Sequence, residues 1–286
     1  MSYQNFIPTV WNEQIDRELE RLCVFAEDCN TKYEGKVKEK GESVKILGVG
    51  KPTIRSIAKA DRNNDIQAAE TIEDTSIIMV IDQIRYFNYK VGDIDKAQAV
   101  GGVMDALQEE TSEGLANEVD TYIANLAKEK QAVKLYATAK TVVVSKTEGT
   151  GERNVLRVLD DAAKVLYKND VKTSTPIIAT VDVDFYMAFR EAYGDKDTDN
   201  SKILKNGKVA MYGNITIKMS NNVAKDGNTS LIQVKTKRAI AYAKPLTHTE
   251  PYRPENGFAD AVKGFILFGA KIVRPKEMVV ANVISA

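Results

Sequence analysis

A few places in this chain of 286 residues carry residue types that could do chemistry. His248, in Thr247-His248-Thr249-Glu250, is the only histidine, so a Ser-His-Asp or Cys-His device would have to use that one imidazole. No Gly-x-Ser-x-Gly elbow and no His-Glu-x-x-His helix accompanies it, and it reads as a surface or strand-end residue. Gly149-Thr150-Gly151 follows a strand ending at Ser145 and precedes a helix, as a dinucleotide-binding turn would. Its third position is Asn154 where close packing needs Gly or Ala, and no acidic residue is well placed ~20 positions on, so it reads as a plain strand-to-helix turn. Asp195, Asp197 and Asp199 alternate like the start of a calcium loop, but Asn200 and Asn206 stand where its glycine and bidentate glutamate belong. Asp160-Asp161 lie near Lys164 on one helix, where intrahelical pairing accounts for them. Cys23 and Cys29 read as helical, ~9 Å apart along the axis, beyond the ~7 Å Cα reach of a disulfide; unbridged core or interface thiols are expected. No catalytic, cofactor-binding or metal residue is expected, and the chain does not read as an enzyme. A nucleotide- or metal-dependent enzyme rests only on Gly149 to Gly151 and Asp195 to Asp199.

The composition excludes other classes. Lys+Arg number 40 and Asp+Glu 40, so the formal net charge is zero, without the basic surplus of a protein that grips nucleic acid or a membrane surface. No apolar run approaches the ~20 residues of a membrane span; the longest is Ile77-Ile78-Met79-Val80-Ile81. At 43% hydrophobic and 28% charged residues, the chain can bury a core.

The elements that must position these residues follow from periodicity. Thr9 can cap a helix with Trp11, Ile15, Leu19, Leu22 and Phe25 on one apolar face. Asp95 and Gln98 resemble a capping box opening the strongest periodic run, Val100, Val103, Leu107, Thr111, Leu115, Val119, Tyr122 and Leu126. Helical from Lys96 to Lys130, it would rise ~52 Å and favour an elongated subunit. Gly101, Gly102 and Gly114 inside it imply close packing or a break. A second helix is expected on Val155, Val158, Leu159, Ala162, Val165 and Leu166, ending near Asn169, and a short one capped by Asp184 running through Tyr193. Strands are expected at 141–145, 177–181, 215–219, 231–234, 239–242, 265–268 and 278–280. The class is α+β, without internal repeat or linker.

Between these elements lies a segment that cannot make its own core. Ser43 to Ile46 and Thr53-Ile54 read as short strands, and Ser76 to Ile81 through Tyr86 to Val91 as their longer partner. From Lys59 to Asp74 only Ile66 and Ile72 are large and apolar, too little to offset ~1 to 2 kcal/mol per residue of backbone ordering. Charges are segregated along it. Basic residues at Lys36, Lys38, Lys40, Lys45, Lys51, Arg55, Lys59 and Arg62 give way, from Asn63 to Thr75, to Asp65, Glu70, Glu73 and Asp74 with no basic residue.

The sequence also resembles the major capsid (coat) proteins of tailed bacteriophages, which have the Hong Kong 97-type fold. The resemblance rests on Phe6-Ile7-Pro8-Thr9-Val10-Trp11, Val24-Phe25-Ala26, Tyr33-Glu34-Gly35, Gly41-Glu42-Ser43-Val44-Lys45-Ile46 and Gly50-Lys51-Pro52-Thr53-Ile54. It continues through Ile81-Asp82-Gln83, Tyr86-Phe87, Asp93-Ile94-Asp95-Lys96-Ala97-Gln98, Asp120-Thr121-Tyr122-Ile123-Ala124, Ala239-Ile240-Ala241-Tyr242-Ala243 and Gly269 to Lys276.

The resemblance implies an N-terminal arm over 1–34, an extended β-hairpin loop over 35–92 lying on a neighbouring subunit, and a peripheral domain with a long spine helix over 93–149. An axial domain over 150–245 and return strands to the peripheral domain over 246–286 complete it. Lys51, Arg55, Lys59, Arg62, Asp65, Glu70, Glu73 and Asp74 would then be intersubunit contacts of the loop, and Phe6, Trp11 and Ile15 contacts of the arm. The implied partners are many copies of the chain, as hexamers and pentamers of an icosahedral shell. A separate scaffolding protein, a portal and non-specifically contacted double-stranded DNA are implied too. The implied location is the virion, assembled in the host bacterial cytoplasm, with no cofactor and no membrane; the fold can support Lys–Asn isopeptide crosslinks, but the sequence singles out no pair and none is expected. An encapsulin-like compartment shell, which shares the fold, is the alternative.

Overall fold

Apolar runs too continuous to alternate must be buried on both faces, and two such runs form the centre of this protein. The structure, a computed structural model, describes residues 15, 17–19, 22–32, 43–49, 54, 56, 74–92, 103–194, 209–255 and 258–285. Its strands are β1 (Ser43–Val49), β2 (Asp74–Val80), β3 (Gln83–Gly92), β4 (Val133–Lys134), β5 (Lys140–Val143), β6 (Glu152–Asn154), β7 (Ile177–Val181), β8 (Val209–Tyr212), β9 (Ile215–Met219), β10 (Lys225–Asp226), β11 (Thr229–Lys235), β12 (Ile240–Tyr252), β13 (Ala259–Ile272) and β14 (Met278–Ser285). Its helices are α1 (Val103–Asn125), α2 (Val155–Lys168) and α3 (Val183–Gly194).

A nine-stranded mixed sheet runs in the order β6-β5-β14-β11-β7-β9-β8, with β10 beside β11 and β4 beside β14. Because side chains alternate along a strand, β11 and β14 feed two cores. Ile232, Val234, Val279, Ala281 and Val283 pack with α2 and α3. Leu231, Met278 and Val280 pack with α1 and the N-terminal segment. β12, β13 and β3 form a separate antiparallel sheet that shares the core of α1 through Ile266 and Phe268. The chain thus passes from one sheet to the other after β11 and returns before β14. Both turns are tied together: Thr236 N–H donates to Glu277 O at 3.1 Å, and the N–H groups of Val273 and Arg274 donate to Ala239 O at 2.9 and 3.1 Å.

Several expectations are corrected here. The long helix spans 23 described residues, Val103–Asn125, followed by a 3₁₀ turn at Leu126–Lys128, so Lys130 is not helical and the described helix rises only ~34 Å. Residues 96–102, with the expected Asp95 box, Gly101 and Gly102, lie outside the described residues. Its buried face is also rotated from the expected stripe: Gln108, Ser112, Ala116, Asp120 and Ala124 are buried beside Leu115, Val119 and Ile123, whereas Leu107, Thr111 and Tyr122 are only half-buried. Gly114 faces open space, with nothing within 4 Å of where a Cβ would stand, so close packing does not explain it.

The second helix falls where it is expected, at Val155–Lys168, capped by Asn154, whose side chain accepts from Leu156 N–H at 3.0 Å. The third is capped by Asp182 rather than Asp184: its Oδ1 accepts from Phe185 N–H at 3.2 Å and its Oδ2 from the Ser230 hydroxyl at 2.7 Å. Asp160 and Asp161 pair across the fold, not along the helix, accepting from the Tyr212 and Tyr136 hydroxyls at 3.2 and 3.0 Å. The expected long partner of β1 divides in two. β2 pairs with β1 in register Ser43↔Val80 to Val49↔Asp74, whereas β3 pairs with β13, far along the chain, from Gly92↔Ala259 to Gln83↔Phe268.

Replacing Gly114 by Ala removes backbone freedom from the unfolded chain without a clash, and should stabilise the unassembled subunit by about 0.5–1 kcal/mol. A thermal melt should show a rise of about 1–3 °C; a fall would mean that the site is not open.

Candidate assembly surfaces

Among the described residues, those that could have done chemistry do not converge. His248 is exposed on β12 with its ring 5.8 Å from Phe265. The Gly149 to Gly151 turn joins β5 to β6 ahead of α2, and the position a phosphate would occupy at that helix start holds a carboxylate. Glu148 accepts from Asn154 N–H at 2.9 Å and pairs with Arg153 at 3.0 Å and Arg157 at 3.2 Å. The Asn154 N–H foremost, with the two guanidinium groups, holds the Glu148 carboxyl below the usual carboxylate range. A second anion there would meet its negative charge. The Asp195 to Asp199 run lies outside the described residues, and among these no cluster of His, Cys, Asp and Glu could hold a metal. No helix among them is long and apolar enough to cross a membrane.

The N-terminal segment is held by a polar clasp. Ile15 and Leu19 are buried as expected of the apolar face, though Leu22 is partly exposed and Phe25 lies in a turn rather than in the helix. The segment from Cys23 to Asn30 forms turns instead of the expected helix, which frees its N–H groups for a partner. That partner is Asp120 of α1: its carboxylate accepts from Val24, Phe25 and Ala26 N–H at 2.7, 3.0 and 3.3 Å. Burial pushes Asp120 up to about 6, against the downward pull of these donors. At the other end, the buried Lys235 ammonium donates to the Asp28 carbonyl, and Lys218 pairs with Glu27 and Asp28 at 2.7 and 2.9 Å. Asn30 then bridges to β12, donating to Ile240 O at 2.8 Å and accepting from Tyr242 N–H at 3.1 Å. Cys23 and Cys29 are free and buried, and burial pushes both thiols up, Cys23 to about 12. Phe6 and Trp11 lie outside the described residues. Asp120 and Lys235 were not expected as site residues from sequence, although a carboxylate on a helix face packed with Ala116 and Ala124 is itself a signal.

The β1–β2 ribbon is anchored through one face. Val44, Ile46, Met79 and Ile81 are buried against Ala241 and Ala243. The Lys271 ammonium donates to Ile78 O at 3.0 Å, and the ribbon crosses β13 at Gly269, where a Cβ would meet Val80 O at 2.6 Å. The opposite face exposes Ile78 and Val80, and the neighbouring strand exposes Ile84 and Tyr86. Ile54, beyond Val49 in the chain, is 95% exposed. Of the expected loop contacts, Asp74 is the last pair of the ribbon, and Lys51, Arg55, Lys59, Arg62, Asp65, Glu70 and Glu73 lie outside the described residues.

No protein-family model and no curated protein matches the chain. Solved structures do. A structure from Mycobacterium phage Che8 agrees over 90% of both chains with a TM-score of 0.70 at 24% identity. The capsid structure of Cyanophage P-SCSP1u agrees over 86% of this chain and 85% of that one, with a TM-score of 0.65 at 15% identity. The virus-like particle from Pyrococcus furiosus agrees over 98% and 99%, with a TM-score of 0.58 at 12% identity. The chain therefore has the phage capsid fold, the Hong Kong 97-type α+β architecture.

Asp120 also makes a pH prediction. Its folded value lies above that of an unfolded Asp, so between about pH 4 and 6 the folded state holds more protons and stability from this group falls as pH rises. The stability advantage of the wild type over Asp120→Asn should therefore shrink across that window in chemical denaturation; a gap that widens would contradict the placement.

Proposed function

We propose that this chain is the major capsid protein of a tailed bacteriophage, many copies of which assemble as hexamers and pentamers into the icosahedral shell around the genome. The observation that carries the reading is the agreement with tailed-phage capsid structures over most of the chain, 90% of it in one and 86% in another. The subunit's own chemistry supports it: what the described residues build is anchors and exposed faces, not a reaction centre. Residues 1–34 serve as the arm, 35–92 as the loop, 93–149 and 246–286 as the peripheral domain and 150–245 as the axial domain. The ribbon supports the loop's role, since its anchored strands leave Ile78 and Val80 exposed, an apolar face suited to being covered by another copy. A scaffolding protein, a portal and packaged DNA held without specific contacts complete the assembly, made in the host cytoplasm and residing in the virion. The agreement with the Pyrococcus particle supports the second reading, a compartment shell. The contents of shells purified from their natural source separate the two: DNA for a virion, a co-packaged protein for a compartment.

Exposed ion pairs are each worth only ~0 to 1 kcal/mol, so the loop must act through several at once. Reversing Lys51, Arg55, Lys59 and Arg62 together to Glu should abolish most shell formation in sedimentation velocity while leaving the subunit's melting temperature within about 2 °C. Normal assembly by a folded variant would remove the basic limb from the contact.

A further inference from the structure

The two turns through which the chain changes sheets bring cations together on a single partly buried carboxylate. Glu277, with its side chain 13% exposed, accepts the Thr236 hydroxyl at 2.6 Å and pairs with Arg274 at 2.9 Å and Arg238 at 3.3 Å. Burial alone would raise the Glu277 carboxyl; Thr236 and the two guanidinium groups outweigh it and hold it low. Both arginine side chains remain about half-exposed, at 52% and 53%. A guanidinium carries five N–H donors in a planar fork, so each arginine keeps donors for a second carboxylate after meeting Glu277. Lys237 and Lys276 are exposed beside them in sequence, and Asn169 fixes the Lys276 main chain through a 3.1 Å hydrogen bond to its carbonyl. The cluster is thus positive, fixed in place and presented outward.

We propose that Arg238 and Arg274 receive the acidic segment Asn63–Thr75 of a second copy of this chain. The inference rests on the shell reading and names where the loop's acidic end docks. Charge complementarity supports it: the chain is neutral as a whole, and this segment holds Asp65, Glu70, Glu73 and Asp74 without a basic residue. Bidentate pairing of carboxylates with guanidinium forks gives such a contact geometric specificity that lysines alone would not.

The test measures binding of a fluorescently labelled peptide of residues 63–75 to the wild-type unassembled subunit at low salt, by anisotropy. A peptide with Asp65→Asn, Glu70→Gln, Glu73→Gln and Asp74→Asn, an Arg238→Glu/Arg274→Glu subunit and a random-sequence DNA duplex serve as comparisons. The acidic peptide should bind and weaken with salt, and both the neutralised peptide and the double variant should lose at least about tenfold in affinity. Equal binding of the two peptides to the wild type overturns the proposal even where the double variant fails to fold. So does unchanged binding by a folded double variant, or an arginine-dependent affinity for the duplex that exceeds that for the peptide. Any of these results from a chain that forms shells leaves the shell reading standing; a chain that forms none strikes at that reading first.

Discussion

The pairing of β11 with β14 is the constraint on which the rest of the architecture depends. Their register, Ser230↔Val283 to Lys235↔Met278, sets alternate side chains into two different cores. A one-residue slip would exchange those faces and leave Gln233 and Lys235 in the wrong core. Both strands also end at the turns leading to the second sheet, so the same pairing fixes how the nine-stranded sheet meets the sheet of β12, β13 and β3. A subunit repeated many times in a closed shell needs such a rigid centre, because errors in the angle between its halves would accumulate around the assembly.

The polar groups buried around that centre serve placement. Lys235 is fully buried and Asp120 nearly so, and an unpaired charge at either place would be strongly unfavourable. Each is met by main-chain groups of the N-terminal segment, Lys235 by the Asp28 carbonyl and Asp120 by three N–H groups. Gln233 meets α1 in the same way, donating to Ile123 O and Ala124 O at 3.0 Å each. The segment that resembles an arm is therefore pinned at 23–30 by groups satisfied in one position only, while the ribbon is pinned by the apolar contact of Val44, Ile46, Met79 and Ile81.

How much of this was legible in the sequence depended on range and polarity. Five of the strands of the nine-stranded sheet, β5, β7, β9, β11 and β14, and helix Val155–Lys168 stand out because continuous apolar runs and 3.6-residue spacing are local signals, whereas the short β4, β6, β8 and β10 do not. The rotation of the long helix was hidden because its buried face includes Gln108, Ser112 and Asp120, which a hydrophobic pattern counts as solvent-facing. The pairing of β3 with β13 and the reach of Asp120 to Val24 join residues far apart in the chain, and nothing local encodes them. Of the residues expected to contact neighbours, Ile15 proved part of the subunit's own core, since its apolar face meets α1 within the chain. The Glu277 cluster left no sequence signal because its members come from two separate turns, each ordinary alone.

A chain with this fold builds closed shells from copies of itself, and negative-stain electron microscopy of the purified protein across a concentration series tests that directly. Hollow particles of uniform diameter, or curved sheets of repeating rings where no scaffold is supplied, are the predicted result. Dispersed single subunits at every concentration would contradict it.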